Sequence, residues 1–368
     1  MTTTHLLETA EVDIAYDVRG PLPTAEGRPP LFMIGQPMDA SGFATLASHF
    51  PDRIVVTYDP RGLGRSIRKD GRVDHAPTVQ ADDVHAVIEA LDVGPVEMFA
   101  SSGGAVTALA LVAAYPIDVT TLVAHEPPLI PLLPDAAAAE RARAGVRDAY
   151  EAKGSSAGMA AFIAMTSWRG EFTDEYFAQP APDPARFGMP TEDDGSRDDP
   201  LLSDRSWEVS GYRPDVDALT AAPTRIVIAV GEESLGTFTG RTAMATADLL
   251  GQPATAFPSH HGGFLGGEFG YAGQPEAFAQ NSATSSRTTA DACRFHRRLV
   301  QSGKAPGGPS TSMPARALAA ARSAGAGRTS AGAYPSSSAG TATSATKAAN
   351  PPEVVATSQR ALSSDSTR

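Results

Sequence analysis

FASSGGAV, residues 99–106, is the stretch on which the reading of this chain turns. An apolar run, EMFA (97–100), leads into it, and an apolar helical pattern, AVTALALVAA (105–114), follows. A strand that turns sharply into a helix pushes the side chain at the turn above the sheet edge. Its neighbours must be small, because such a turn is strained and packs against adjacent strands. Laid on the pattern Gly-x-Ser-x-Gly, the fixed positions fall on Ala100, Ser102 and Gly104, with Ala100 in place of the first Gly, a methyl that fits if that side is not fully crowded. Ser102 therefore takes the exposed position, and Ser101 is expected to point along the strand. The N–H of Gly103 opens the helix, where an oxyanion is favoured by the helix dipole.

The same alternation extends outward. LLETAEVDIAYDVRG (6–20) reads as an opening hairpin. LFMIG (31–35), RIVVTYD (53–59), VEMFAS (96–101), TTLVAHE (120–126), TRIVIAVG (224–231) and ATAFPS (254–259) are short, continuous apolar runs. Such runs suit strands buried on both faces of a parallel sheet. Between them lie helical patterns: Val79, Val84, Val87, Ile88 and Leu91, stopping at Gly94; Gly103 to Tyr115, stopped by Pro116; and ATADLLG, closing at Gly251. Strand–helix alternation implies right-handed crossovers and an α/β fold, a mostly parallel sheet flanked by helices. Nearly a hundred residues without a strand signal separate TTLVAHE from TRIVIAVG. They hold helical patterns at Ala136–Lys153 and Met159–Trp168, then a Pro/Asp-rich loop. This reads as a helical cap, about 130–218, inserted after the sixth strand.

Composition divides the chain at about residue 280. Residues 281–368 are dominated by Ser, Ala, Thr, Gly, Pro and Arg, with Phe295 and Tyr334 their only aromatics. Such a segment buries too little apolar surface to offset its ordering entropy, so a low-complexity, disordered tail is expected. It also resembles GC-rich DNA translated in a shifted frame, an expectation that sequencing the locus checks. The tail carries 11 Lys/Arg against 3 Asp/Glu, whereas the whole chain is at −12, so residues 1–280 carry −20. An acidic globule argues against a nucleic-acid partner. The one cysteine, Cys293, builds no disulfide framework. The N-terminus shows no signal-peptide pattern, and no apolar run approaches a membrane span. A cytoplasmic protein is expected, with its oligomeric state left open.

LFMIGQPMD (31–39), YDPRGLGRS (58–66), FASSGGAV and SHHGGFLGG (259–267), in this order and spacing, resemble the α/β-hydrolase superfamily over residues 10–280. DPRGLGRS is similar to that family's D-x-R-G-x-G-x-S segment. The resemblance implies a capped, serine-nucleophile enzyme in which Ser102 attacks. Serine needs a base to remove its proton, and of eight histidines His261 stands on the loop where the family carries it. His260 is its neighbour. The family's usual acid position falls on Ser234, which cannot supply a charge. Glu126, at the end of TTLVAHE, is the expected acid, since some members carry theirs there. Glu233 is the alternative, with Glu232 beside it. The oxyanion hole is expected from the N–H groups of Gly103 and Gln36, and the Gln36 side chain could also reach a substrate. The family's common His-Gly is Ile34-Gly35 here.

The expected activity is hydrolysis of a small, largely apolar ester, lactone or related acyl substrate through an acyl-enzyme. The alternatives are a cofactor-free haloperoxidase-like or carbon–carbon bond hydrolase on the same triad, or a non-catalytic ligand-binding member of the fold. Serine at 102 argues against the Asp-nucleophile chemistry of the superfamily's haloalkane dehalogenases and epoxide hydrolases. No cofactor is implied, and no metal, because the His260–His261 pair lacks a third ligand. Met159, Phe162, Met165, Trp168, Phe172, Tyr176 and Phe177 are expected either to line a pocket or to fill the cap.

Overall fold

The computed structural model describes residues 1–22, 27–270 and 272–282. The expectation for the tail thus lies outside the described residues beyond 282. The opening hairpin is β1 (Thr2–Glu8) and β2 (Val12–Arg19). There follow β3 (Leu31–Gln36), α1 (Ala44–Ser48), β4 (Val55–Tyr58), a two-residue β5 (Ile67–Arg68), α2 (Pro77–Leu91), β6 (Val96–Ser102), α3 (Gly103–Ala114) and β7 (Val119–His125). The inserted stretch holds α4 (Ala136–Lys153), α5 (Ser155–Ser167), α6 (Asp174–Phe177), α7 (Trp207–Ser210) and α8 (Val216–Ala221). Then come β8 (Arg225–Gly231), α9 (Phe238–Leu249) and β9 (Thr255–Phe257). Because β5 was not read from the sequence, the sixth strand of that reading, TTLVAHE, is β7.

The strands form one sheet in the order β1-β2-β4-β3-β6-β7-β8-β9, with β5 beside β2. Pairings from β4 to β9 are parallel, and those of β2 with β1, β4 and β5 are antiparallel. Alternate residues of a strand face opposite sides. Phe32, Ile34, Met98, Ala100, Leu122 and Ala124 accordingly pack with α2 and α3 on one face. Leu31, Met33, Phe99 and Val123 pack with α1, Phe257, Phe264 and Phe278 on the other. After β3 the chain runs to β4 on one side, then crosses to β6 on the other. Such a switch point opens a crevice beyond the carboxyl ends of the strands. At this one Gln36 and Ser102 are register partners.

Three boundaries differ from the sequence reading, the first being the hairpin, where β1 begins at Thr2 rather than Leu6. Helix α2 ends at Leu91 because Asp92 adopts a left-handed conformation, φ 50°, two residues before Gly94. Helix α5 begins at Ser155, since α4 stops at Gly154 and the chain re-enters a helix at once. The inserted stretch also divides. Helices α4 and α5 build a small core of their own with Tyr150, Met165, Phe172 and Leu202. Val209 of α7 and Leu219 of α8 join the main core beside α3 instead. Among the described residues no helix is long and apolar enough to cross a membrane.

Candidate active site

Ser102 has φ 56° and ψ −128°, a region that L-residues rarely occupy. Strain of this kind persists only where the surroundings over-determine it. Here the surroundings are the close packing of α3 on β3. A Cβ on Gly104 would stand 2.6 Å from Gly35 Cα and 2.7 Å from the Ile34 carbonyl oxygen, so only glycine lets the helix approach. Ala100, where the pattern has Gly, is fully buried, so its methyl is accommodated. Ser101 does not lie along the strand as expected. It is buried, and its Oγ sits 3.1 Å from Nδ1 of His125, its register partner on β7.

Glu126 follows the last residue of β7, also at positive φ, 49°. It is 0% exposed, and its two oxygens take three hydrogen bonds. Oε1 accepts from the Gly231 N–H at 2.8 Å. Oε2 accepts from the Thr239 hydroxyl at 2.6 Å and lies 2.6 Å from His261 Nδ1. Burial alone would raise this carboxyl's pKa. The hydrogen bond to His261, the nearby His125 and His261 rings and the Thr239 hydroxyl outweigh burial and hold it below the usual carboxylate range. An ionised carboxylate only accepts, so Nδ1 of His261 carries the proton and Nε2 is left as the acceptor. His261 keeps 39% of its side chain exposed, so the pair is dry at the acid and open at the base.

Ser102, His260 and His261 line one cavity of about 430 Å³. Gln36 and Gly103 lie on its floor, and cap residues Phe162, Met165, Leu201 and Leu202 close it from above. Of the seven cap residues expected to line a pocket or fill the cap, Phe162 and Met165 reach the cavity. Phe172 is in the cap core, with Met159, Trp168, Tyr176 and Phe177 packed against it. Arg143, on α4, adds a cation to the lining, its guanidinium stacked on the Trp207 ring. Glu233 lines the cavity mouth as well, but its side chain is exposed and does not pair with His261. Nδ1 of His260 accepts the Gly262 N–H at 3.0 Å. Ser234, at the family's usual acid position, is buried, with its carbonyl against Gly240. The end of β8 and the first turn of α9 thus offer Glu126 its donors, Gly231 N–H and the Thr239 hydroxyl, and the loop between them carries no paired acid.

Sequence reasoning missed two contributors. Thr239 carries no signal, being one of many threonines until α9 brings it to Glu126. His125 did carry one: a histidine in a continuous apolar strand needs a partner. It is fully buried among Phe99, Phe257, Phe264 and Phe278, with its ring 5.8 Å from that of His261. Burial holds its pKa down to about 4, so it is neutral at pH 7. Among the described residues no group of three or more His, Cys, Asp and Glu side chains could hold a metal ion.

The family described as "alpha/beta hydrolase fold" matches residues 32–166. An uncharacterized hydrolase, YraK, of Bacillus subtilis (strain 168) is 34% identical over 128 residues. The match covers 34% of this chain and 45% of that protein, so the chain spans less than half of that relative's length. A putative aryl esterase from Burkholderia cenocepacia has a similar structure. Its TM-score is 0.52 at 18% identity, over 78% of this chain and all of that one. Naproxen esterase (carboxylesterase NP) from Bacillus subtilis gives 0.49 at 15% identity, over 79% and 91%.

Proposed function

The chain belongs to the α/β-hydrolase superfamily, and we propose that it is a serine hydrolase cleaving a small, largely apolar ester, lactone or related acyl compound. The observation that carries this reading is the 2.6 Å pairing of His261 with a buried, ionised Glu126, on the rim of the cavity that Ser102 shares. A carboxylate there selects the tautomer whose Nε2 accepts a proton. The hydrolase YraK, although matched over less than half its length, adds support.

In this reading Ser102 Oγ attacks the substrate carbonyl as His261 Nε2 takes its proton. Glu126 stabilises the imidazolium that forms without itself being protonated. The N–H groups of Gly103 and Gln36 receive the developing oxyanion, the first at the start of α3, where the helix dipole adds to it. Collapse breaks the bond to the alkoxy oxygen, which leaves with the proton from His261. An acyl group remains on Ser102. Water, deprotonated by His261, then attacks the acyl carbon and restores Ser102. The apolar lining from Phe162, Met165, Leu202, Val209 and Leu265 suits an apolar acyl or alcohol part.

A fluorophosphonate probe tests the reading directly. Wild type is expected to be labelled and Ser102→Ala is not. An unlabelled wild type, or equal labelling of both, would refute it.

A further inference from the structure

Gln36 ends β3 opposite Ser102 and is 3% exposed. Both atoms of its carboxamide, Nε2 and Oε1, lack a hydrogen-bond partner among the described residues. Buried polar groups are nearly always paired, and one orphaned at both ends is costly unless a ligand pairs it. The side chain belongs to the cavity lining. Its place there is fixed by Gly103, since a Cβ on that glycine would stand 2.9 Å from both Cβ and Cγ of Gln36. The carboxamide stem therefore crosses the start of α3, one residue from Ser102.

A plain ester satisfies only half of this group. Its carbonyl and alkoxy oxygens can accept from Nε2, but it has nothing to donate to Oε1. The argument does not depend on which atom is nitrogen, because both are unpaired. Pro37, which follows Gln36 in the chain and in the cavity lining, offers no side-chain donor, and the Ser102 hydroxyl opposite gives its proton to His261 in this reading. A hydroxyl both gives and takes a hydrogen bond, so one hydroxyl on the substrate answers both atoms. The closeness of Gln36 to Ser102 puts that hydroxyl beside the carbon under attack.

Resting on the serine-hydrolase reading, we infer that the preferred substrate is a 2-hydroxyacyl ester, whose hydroxyl is recognised by the Gln36 carboxamide. Gln36 then has two separate duties: its backbone N–H faces the oxyanion, and its side chain selects the acyl group.

The test compares ethyl 2-hydroxybutyrate with ethyl butyrate. Each kcat/KM is first divided by the ester's own rate of hydrolysis by hydroxide, which removes the intrinsic reactivity of the hydroxy ester. Wild type is expected to favour the hydroxy ester by about ten- to a hundredfold, the range set by one unpaired buried group. Gln36→Leu brings that ratio close to one, whereas general damage lowers both substrates and leaves it unchanged. Calorimetry on Ser102→Ala carries the test without turnover, and there the hydroxy ester is expected to bind at least tenfold more tightly. A wild-type ratio near one, an unchanged ratio in Gln36→Leu, or equal affinities in Ser102→Ala overturns the proposal. Absence of fluorophosphonate labelling overturns the serine-hydrolase reading instead, and the calorimetric comparison then decides on Gln36.

Discussion

Replacing Glu126 by glutamine changes one atom and reverses one proton. The three donors that meet the carboxylate are Gly231 N–H at Oε1, and Thr239 Oγ1 and His261 Nδ1 at Oε2. An amide must put its NH₂ at one of these sites. At the Oε1 site it would face the Gly231 N–H, a backbone donor that cannot turn away. At the Oε2 site it faces Thr239, whose hydroxyl can rotate to accept, and His261. The second orientation is therefore preferred, and it forces the proton of His261 from Nδ1 onto Nε2. A base with its Nε2 already protonated cannot take the proton of Ser102. The expected result is a loss of kcat of about 10³- to 10⁴-fold, or about 4–5.5 kcal/mol of transition-state stabilisation. KM for a p-nitrophenyl ester changes little, because no lining group is lost. Stability in urea falls by about 1–3 kcal/mol, as charge-assisted hydrogen bonds become neutral ones. Glu233→Gln, at an exposed side chain, is expected to lose less than tenfold in kcat. The reasoning is refuted if Glu126→Gln retains more than a tenth of wild-type kcat, or if Glu233→Gln loses more than Glu126→Gln.

Gly104→Ala sets a methyl against the backbone of β3 and is expected to cost about 3 kcal/mol in urea denaturation; a cost below about 1 kcal/mol contradicts the close approach. His125 and His75 are buried, and burial first, with neighbouring Arg68 and Arg205 adding at His75, holds each down to about 4. The unfolded chain, with histidines near 6.5, binds more protons below that pH, so the stability they contribute is full above about pH 6.5 and drains away towards pH 4. At pH 5 the loss is about 2 kcal/mol for each, and a urea midpoint that does not fall between pH 7 and pH 5 counts against it. Arg61 pairs with Asp83 through Nε at 2.5 Å and Nη2 at 2.6 Å, both side chains being buried. Arg61→Met strands Asp83 and is expected to cost about 3–5 kcal/mol, much of it recovered in Arg61→Met/Asp83→Leu; a double variant no better than the single one argues against the pair.

The strands were legible because a strand buried on both faces leaves a dense apolar run; five of the six runs match such strands, and the sixth matches β9, the strand at the sheet's end, where Thr255 and Ala256 are exposed. The turn at Ser102 was legible because strain and close packing restrict the residues on either side of it. The choice between Glu126 and Glu233 was open for a physical reason. It depends on Thr239 and His261 meeting a carboxylate more than a hundred residues away in sequence, a contact with no local pattern. The cap aromatics were ambiguous for a similar reason: in a two-helix layer, apolar spacing does not say which face meets the cavity and which meets the partner helix. Gln36 was legible as a position after β3, but an orphaned amide becomes visible only when its neighbours are counted in space.

Ser102 ends β6 and Glu126 comes directly after β7, and the ladder between these neighbouring strands runs up to Ser101 and His125 beside them. Their separation can change only if the centre of the sheet opens. His261 alone arrives on a loop, between β9 and the helical stretch that closes the described chain. Heating therefore has two ways to stop turnover, and they are separable. If the loop loosens first, activity fades while the fold still stands, and cooling restores it at once. If the sheet opens first, activity and fold disappear together, and the temperature of half-inactivation coincides with that of melting.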